Sequence, residues 1–316
     1  MPSIATTSTK KDYKRKNSVF KVIGKNYQVY LMLIPCLLFF AIFCYGPMYG
    51  VQIAFKNYNT GLGIWGSPWA GLRHFERFLS LPQFWQVFWN TLYLSVYSLI
   101  AGFPFPILVS LMLNEVRNAR YKKLVQTVTY APHFISTVVM VTMITLFLSP
   151  SSGFVNKAIE AFGGESIHFM IKSEYFPHIY VWSGVWQHFG WNSIIYLATL
   201  ANVDESLHEA AVIDGATRMQ RIWYINLPCL TPTIVIQLIL SLGGILGADF
   251  EKVLLMQNAS IMSSADVIAT YTYRIGIQGS EFSLSSAIGM FNSVINLVVL
   301  VVVNTICRRI SDTSLW

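Results

Sequence analysis

Six stretches of the chain are apolar and carry no Asp, Glu, Lys or Arg: Tyr30–Phe55, Phe84–Leu113, Leu124–Ser149, Ile179–Asn202, Cys229–Gly247 and Ser283–Ile306. Each approaches or exceeds the roughly 20 residues that an α-helix needs to cross a hydrocarbon core. The pattern predicts six transmembrane helices. The fifth is the shortest and follows directly on Leu227-Pro228, so its start is the least sharply marked. Pro35, Pro47, Pro104 and Pro106 fall inside or near the ends of these helices, where neighbouring helices can satisfy the backbone groups a proline frees. Trp85, Trp89, Trp182 and Trp186 suit interfacial belts. Gly46-x-x-x-Gly50 and Gly243-x-x-x-Gly247 have the spacing of close helix approach, which glycine-rich apolar sequence also produces by chance.

Composition supports a polytopic membrane protein. Of 316 residues, 54% are hydrophobic and 12% charged, about half the charged share of a soluble chain. Four cysteines, Cys36, Cys44, Cys229 and Cys307, show neither zinc spacing nor a disulfide framework and read as small buried hydrophobes. A metal site is not expected.

Orientation follows from the 22 Lys and Arg. Lys10, Lys11, Lys14, Arg15, Lys16, Lys21 and Lys25 precede the first span, and Arg117, Arg120, Lys122 and Lys123 follow the second. Arg218 and Arg221 follow the fourth, and Arg308 and Arg309 the sixth, leaving seven of the 22 for the other side. The positive-inside rule then places both termini in the cytoplasm. The net charge of +7 is accounted for by this bias and by anionic lipid, so no nucleic-acid partner is implied. Residues 1–27 read as a basic cytoplasmic segment, residues 1–17 as disordered, residues 28–56 as an uncleaved first transmembrane helix and residues 307–316 as a cytoplasmic tail.

Chemistry is narrowed by elimination. Ion coupling needs ionisable groups at membrane depth, and the spans offer His133 and His188 alone. His133, after Pro132, suits a hydrogen-bonded interfacial role, whereas His188 lies deeper in Trp186-Gln187-His188. There is no phosphate-cradling GxxxxGK[ST], HExxH or GxSxG motif, and no clear inverted repeat. No catalytic residue is assigned, and energy for uphill movement must come from another subunit.

The most informative segment is Glu209-Ala210-Ala211-Val212-Ile213-Asp214-Gly215-Ala216-Thr217-Arg218-Met219-Gln220-Arg221-Ile222-Trp223-Tyr224-Ile225-Asn226-Leu227-Pro228. Ser206-x-x-Glu209 and Thr217-x-x-Gln220 have the form of capping boxes opening two short helices. Gly215 falls between them, where a turn needs a residue tolerant of positive φ. Ala210, Ala211 and Ala216 supply a small-residue surface able to enter a partner's groove. Leu227-Pro228 is expected to restart the chain into the membrane. The whole, residues 206–228, reads as a docking elbow on the cytoplasmic face.

These joint spacings resemble the EAA loop of ABC importer permeases, the membrane subunits of binding-protein-dependent transport systems. Asn90-Thr91-Leu92 is similar to the Asn-Thr signature opening that family's core, which would cover residues 85–306 with five of the helices. The runs Ile64–Trp69, Gly71–Phe75, Gly190–Ala198 and the ending Leu315-Trp316 resemble the carbohydrate and polysaccharide-lipoprotein branch. Met219 stands where that branch commonly has an aromatic residue.

The resemblance implies an all-α fold of the type I importer permease class. It also implies a multi-pass location in the bacterial plasma membrane. Partners would be a second permease, two cytoplasmic ATPases holding ATP and Mg, and an extracytoplasmic binding lipoprotein. Glu209, Ala210, Ala211, Asp214, Gly215, Ala216, Ile225, Leu227 and Pro228 would form the coupling surface. A sugar path needs aromatic faces beside hydrogen-bonding groups, and the fourth span offers Gln187, His188, Trp191, Asn192 and Tyr196. Gln237 and Asn292, with Tyr130 and Asn296, are further candidates, although Asn292 and Asn296 equally suit interhelical hydrogen bonding. Two alternatives stay open: a permease for peptide or another small solute, and a scaffold or lipid-handling subunit that transports nothing.

Overall fold

The computed structural model describes residues 27–310 and residue 314. The basic leader, its expected disorder and the terminal Leu315-Trp316 lie outside the described residues. Twelve helices matter here: α1 Tyr27–Phe55, α2 Arg73–Ser80, α3 Gln83–Asn114, α4 Ala119–Phe134, α5 Thr137–Phe147, α6 Phe154–Ala161, α7 Phe176–Leu200, α8 Glu205–Ile213, α9 Arg218–Gly243, α10 Phe250–Met256, α11 Ile268–Tyr273 and α12 Phe282–Ile310. No strand occurs among the described residues, and Lys56 and Trp69 form an isolated bridge.

The described residues up to Gln52 and those from Ile53 onward belong to two separate compact units. In the first, α1 is apolar on every side and exposed almost throughout, which suits a helix solvated by lipid. Its middle turn, Phe40–Tyr45, widens into a π-helical segment just before Pro47. Such a segment absorbs the carbonyl that proline leaves without a donor.

Within the second unit, α7 is the central element and packs against α3, α4 and α9. Gly190 makes the α7–α4 approach possible, since a Cβ there would fall 2.1 Å from the Thr129 carbonyl oxygen. One core cluster joins Leu94, Phe176, Val181 and Val185 to Val253 and Met256 of α10. A second joins Phe78, Phe84 and Val87 to Ile268, Leu284 and Ile288. A third, Leu111, Tyr196, Leu200 and Leu230, ties the far ends of α3 and α7 to α9.

Four described helices are long and apolar enough to cross a membrane: α1, α3, α9 and α12. The stretch expected as a straight third span is instead α4 and α5, bent by 99° across a short break. Pro132 interrupts the donors of α4, and the Ser136 hydroxyl accepts the Val139 N–H to start α5 afresh. The expected fourth span is α7. Its 25 residues rise about 37 Å at ~1.5 Å each, enough for a bilayer, yet its Trp, Gln, His and Asn make it the least lipid-like of the six. Gly243 of the Gly243-x-x-x-Gly247 pair does meet another helix closely, with a would-be Cβ 2.7 Å from Leu300 Cδ1. A Cβ on Gly50 would meet nothing within 4 Å.

The Asn-Thr pair has a clear structural task. Asn90 Nδ2 donates to the carbonyls of Ser263 (2.9 Å) and Asp266 (3.0 Å), and the Thr91 hydroxyl accepts the Ile268 N–H at 2.8 Å. Together they pin the segment before α11 to the side of α3.

Gly190→Ala should destabilise the purified protein by about 1–3 kcal/mol, the usual cost of overpacking, read as a lower midpoint in detergent thermal unfolding. Gly289→Ala on α12, where a Cβ meets nothing within 4 Å, should leave that midpoint within error.

Candidate functional sites: a helical elbow and a polar cavity

The elbow is built by local rules. α8 starts at Glu205 because the Asp204 carboxylate accepts the Ser206 N–H at 2.9 Å. This hydrogen bond holds the Asp204 carboxyl below its ordinary range. The Ser206-x-x-Glu209 box expected from spacing is therefore not what caps the helix: Asp204, two residues earlier, takes that place. Glu209 stands exposed on the helix surface.

At the other end, Gly215 has φ +78°. Its N–H donates to the Val212 carbonyl (3.1 Å), and the Ala216 N–H to that of Ala211 (2.8 Å). That pair of bonds is a Schellman ending, which calls for glycine because a Cβ is strained at positive φ. The second capping box forms as expected. Gln220 Oε1 accepts the Thr217 N–H at 2.7 Å, and Thr217 Oγ1 accepts the Gln220 N–H at 3.3 Å.

Leu227-Pro228 does not restart the chain. From Arg218 to Gly243 the backbone is one helix, because the π-helical turn Ile222–Asn226 precedes Pro228 and takes up its missing donor. The second arm of the elbow and the fifth span are thus a single rod. Its base is tied to the end of α3, where Glu115 faces Arg221 Nη2 at 3.8 Å and accepts from buried Asn226 Nδ2 at 3.5 Å. Ile225 and Leu227 are half-buried there, while Ile213, Met219, Trp223 and Tyr224 remain exposed around the bend. Ala210 and Asp214 are exposed and Ala211 and Ala216 half-buried.

The second site is a cavity of about 850 Å³ between α3, α7, α9 and the turn leading into α10. Of the side chains singled out in the sequence, His188, Trp191, Asn192, Tyr196 and Gln237 line it. Gln187 and Asn292 do not. Gln187 is buried and its Nε2 donates to the Ile135 carbonyl at 2.9 Å, in the bend between α4 and α5. Asn292 lies off the cavity, and Asn296 accepts the Leu246 N–H at 3.0 Å where α9 has ended.

His133 and His188 meet through their Nδ1 atoms at 3.1 Å, so one donates and the other accepts. Trp191 stacks on His133 with ring centroids 4.4 Å apart. Spacing did not bring forward Tyr180, Asp249 and Lys252, which also line the cavity. Lys252 is one of the seven cations that the sequence leaves to the other side, and only packing shows that it is buried.

An all-helical membrane chain with an exposed elbow and a polar, aromatic cavity is a transport subunit by class. The model of the family "Binding-protein-dependent transport system inner membrane component" matches residues 102–312, and the chain belongs to that family. It is 40% identical over 315 residues to the polygalacturonan/rhamnogalacturonan transport system permease protein YteP of Bacillus subtilis strain 168, covering all of this chain and 98% of that one. Protein LplB of the same strain is 41% identical over 288 residues, 91% of each chain. Among solved structures, a chain of a bacterial alginate ABC transporter in complex with an alginate pentasaccharide-bound periplasmic protein superposes with a TM-score of 0.85. It is 41% identical and is covered to 99%, against 94% of this chain.

Thr217→Ala should loosen the second arm of the elbow by about 1 kcal/mol, the typical worth of such a cap. Amide hydrogen exchange of Arg218–Arg221 should then quicken roughly fivefold, with exchange in α7 unchanged.

Proposed function

We propose that the chain forms half of the translocation path of an ABC importer for a sugar or oligosaccharide. On this reading it crosses the membrane six times with both termini in the cytoplasm, α4–α5 and α7 supplying the third and fourth crossings. A second permease completes the path, an extracytoplasmic binding protein delivers the saccharide, and two cytoplasmic ATPases hold ATP and Mg. The named cargoes of the similar proteins, polygalacturonan, rhamnogalacturonan and alginate, support a saccharide cargo over peptide.

The observation that carries the coupling reading is the continuity of α9. A push on Glu209–Thr217 by a closing ATPase dimer reaches the fifth span without a hinge, because Arg218–Gly243 is one helix. Exposed Ile213, Met219, Trp223 and Tyr224 give the ATPase an apolar surface. The switch then has two packings of the same helices, one favoured by nucleotide. His188, Trp191, Asn192, Tyr196 and Gln237 offer the aromatic faces and hydrogen-bonding groups that sugar passage calls for. This chain performs no covalent chemistry; hydrolysis belongs to the partner ATPases.

Gly215→Val puts a β-branched side chain at φ +78°, a strain of about 1–3 kcal/mol. It should leave membrane insertion intact while abolishing uptake and weakening ATPase co-purification. Wild-type uptake by this variant would remove residues 206–228 from the coupling role.

Topology has its own test. In a background lacking the four native cysteines, Glu165→Cys and Gln278→Cys, both at exposed positions, should react with impermeant thiol reagents from outside intact cells. Asp214→Cys and Met219→Cys should react only after permeabilisation. Labelling of position 214 from outside would overturn the orientation.

A further inference from the structure

Lys252 is the feature of the cavity that the path reading does not use. It sits in α10, just past the fifth span, and is 3% exposed. Its ammonium donates to the Tyr180 carbonyl at 2.9 Å and lies 5.0 Å from the centre of the Tyr180 ring. Gly184 makes room for it, since a Cβ there would come within 3.2 Å of Nζ. Tyr180 is held in turn, its hydroxyl accepting the Asp249 N–H at 2.9 Å. The amine is therefore placed against the cavity wall by several contacts.

A buried ammonium ordinarily has a carboxylate partner. Among the described residues, no carboxylate oxygen lies within 4.0 Å of this one. Asp249, the other charged residue lining the cavity, turns a carboxylate oxygen to the Lys252 backbone N–H at 3.2 Å and caps α10. An ammonium carries three donors, and the Tyr180 carbonyl engages one. Burial lowers the amine to about 8, with Asp249 opposing the fall, so the group stays mostly charged at neutral pH.

We propose that Lys252 is a specificity-determining residue of the cavity, donating to the carboxylate of an acidic saccharide as it passes, so that the cargo class is a uronate-containing oligosaccharide. The proposal rests on the saccharide-permease reading and narrows it. Trp191, at the cavity wall, supplies a ring face for the sugar carbons, while the Lys252 ammonium binds the charge. A hydrogen bond to a charged group is about twice as strong as a neutral one, so the ammonium favours acidic over neutral sugars of the same shape. One such contact per passing residue holds the anion without trapping a chain that must move on.

The test uses the whole importer with its partner permease, ATPases and binding protein in proteoliposomes, with tetragalacturonate and its carboxyl-reduced, neutral counterpart as probes. Any selectivity of the binding protein is common to all variants, so the acid-to-neutral uptake ratio isolates Lys252. Lys252→Met should lower that ratio at least tenfold and Lys252→Arg should keep it within about threefold. Co-purification of all subunits serves as the assembly check. An equal fall for both probes in Lys252→Met would make Lys252 a structural post, and an unchanged ratio would remove it from recognition. If the wild type imports the neutral probe but not the acid, the acidic-cargo proposal fails while the saccharide reading survives. Import of neither, by a complex that imports peptide, would sink the saccharide reading itself.

Discussion

Wherever a helix breaks inside a packed bundle, it leaves backbone groups that the protein itself must satisfy. Much of this architecture follows from how that is done. At the bend between α4 and α5 the Ile135 carbonyl is met by Gln187. Beyond the end of α9, the Leu246 N–H is met by Asn296. Ahead of α11, the carbonyls of Ser263 and Asp266 are met by Asn90, and the Ile268 N–H by Thr91. Interhelical hydrogen bonds of this kind contribute only about 0.6–2 kcal/mol each. Their larger effect is geometric, since each admits one relative placement of two helices.

Proline is handled differently. Before Pro47 and Pro228 the helix widens into π-helical turns rather than stopping. For α9 this has a mechanical consequence. A helix that ended at Leu227 would leave the elbow hinged to the membrane domain, and a push would be lost in bending. A helix that continues through the proline transmits it. The contacts of Glu115 with Arg221 and Asn226 then tie the same rod to the end of α3, so the elbow, α9 and α3 are braced together.

The cavity lies where α7 can supply both of its needs. One side of the helix is consumed by the close approach of Gly190 to α4. The other keeps His188, Trp191 and Asn192 at the cavity wall. This division also accounts for the low lipid character of α7: a helix surrounded by other helices and a polar cavity has little need of an all-apolar surface.

Hydropathy by itself determined that the chain is a helical membrane protein, because roughly 20 uncharged apolar residues have few other fates. The elbow was legible too, since Gly215 and the Thr217–Gln220 box act through contacts no more than five residues apart. Local rules misplaced the cap of α8, which is Asp204 and not Ser206, and divided α9 at Leu227-Pro228, where a π-helical turn absorbs the proline and the helix runs on. Which polar residues face the cavity was a matter for tertiary structure alone. Gln187 and His188 are neighbours in sequence, yet one braces a bend and the other lines the cavity, because a helix turns about 100° per residue and its neighbours decide what each side meets. Lys252 shows the same limit from the other direction. In the sequence it is an ordinary loop cation, and only the packing of α10 under Tyr180 and Gly184 makes it a buried charge.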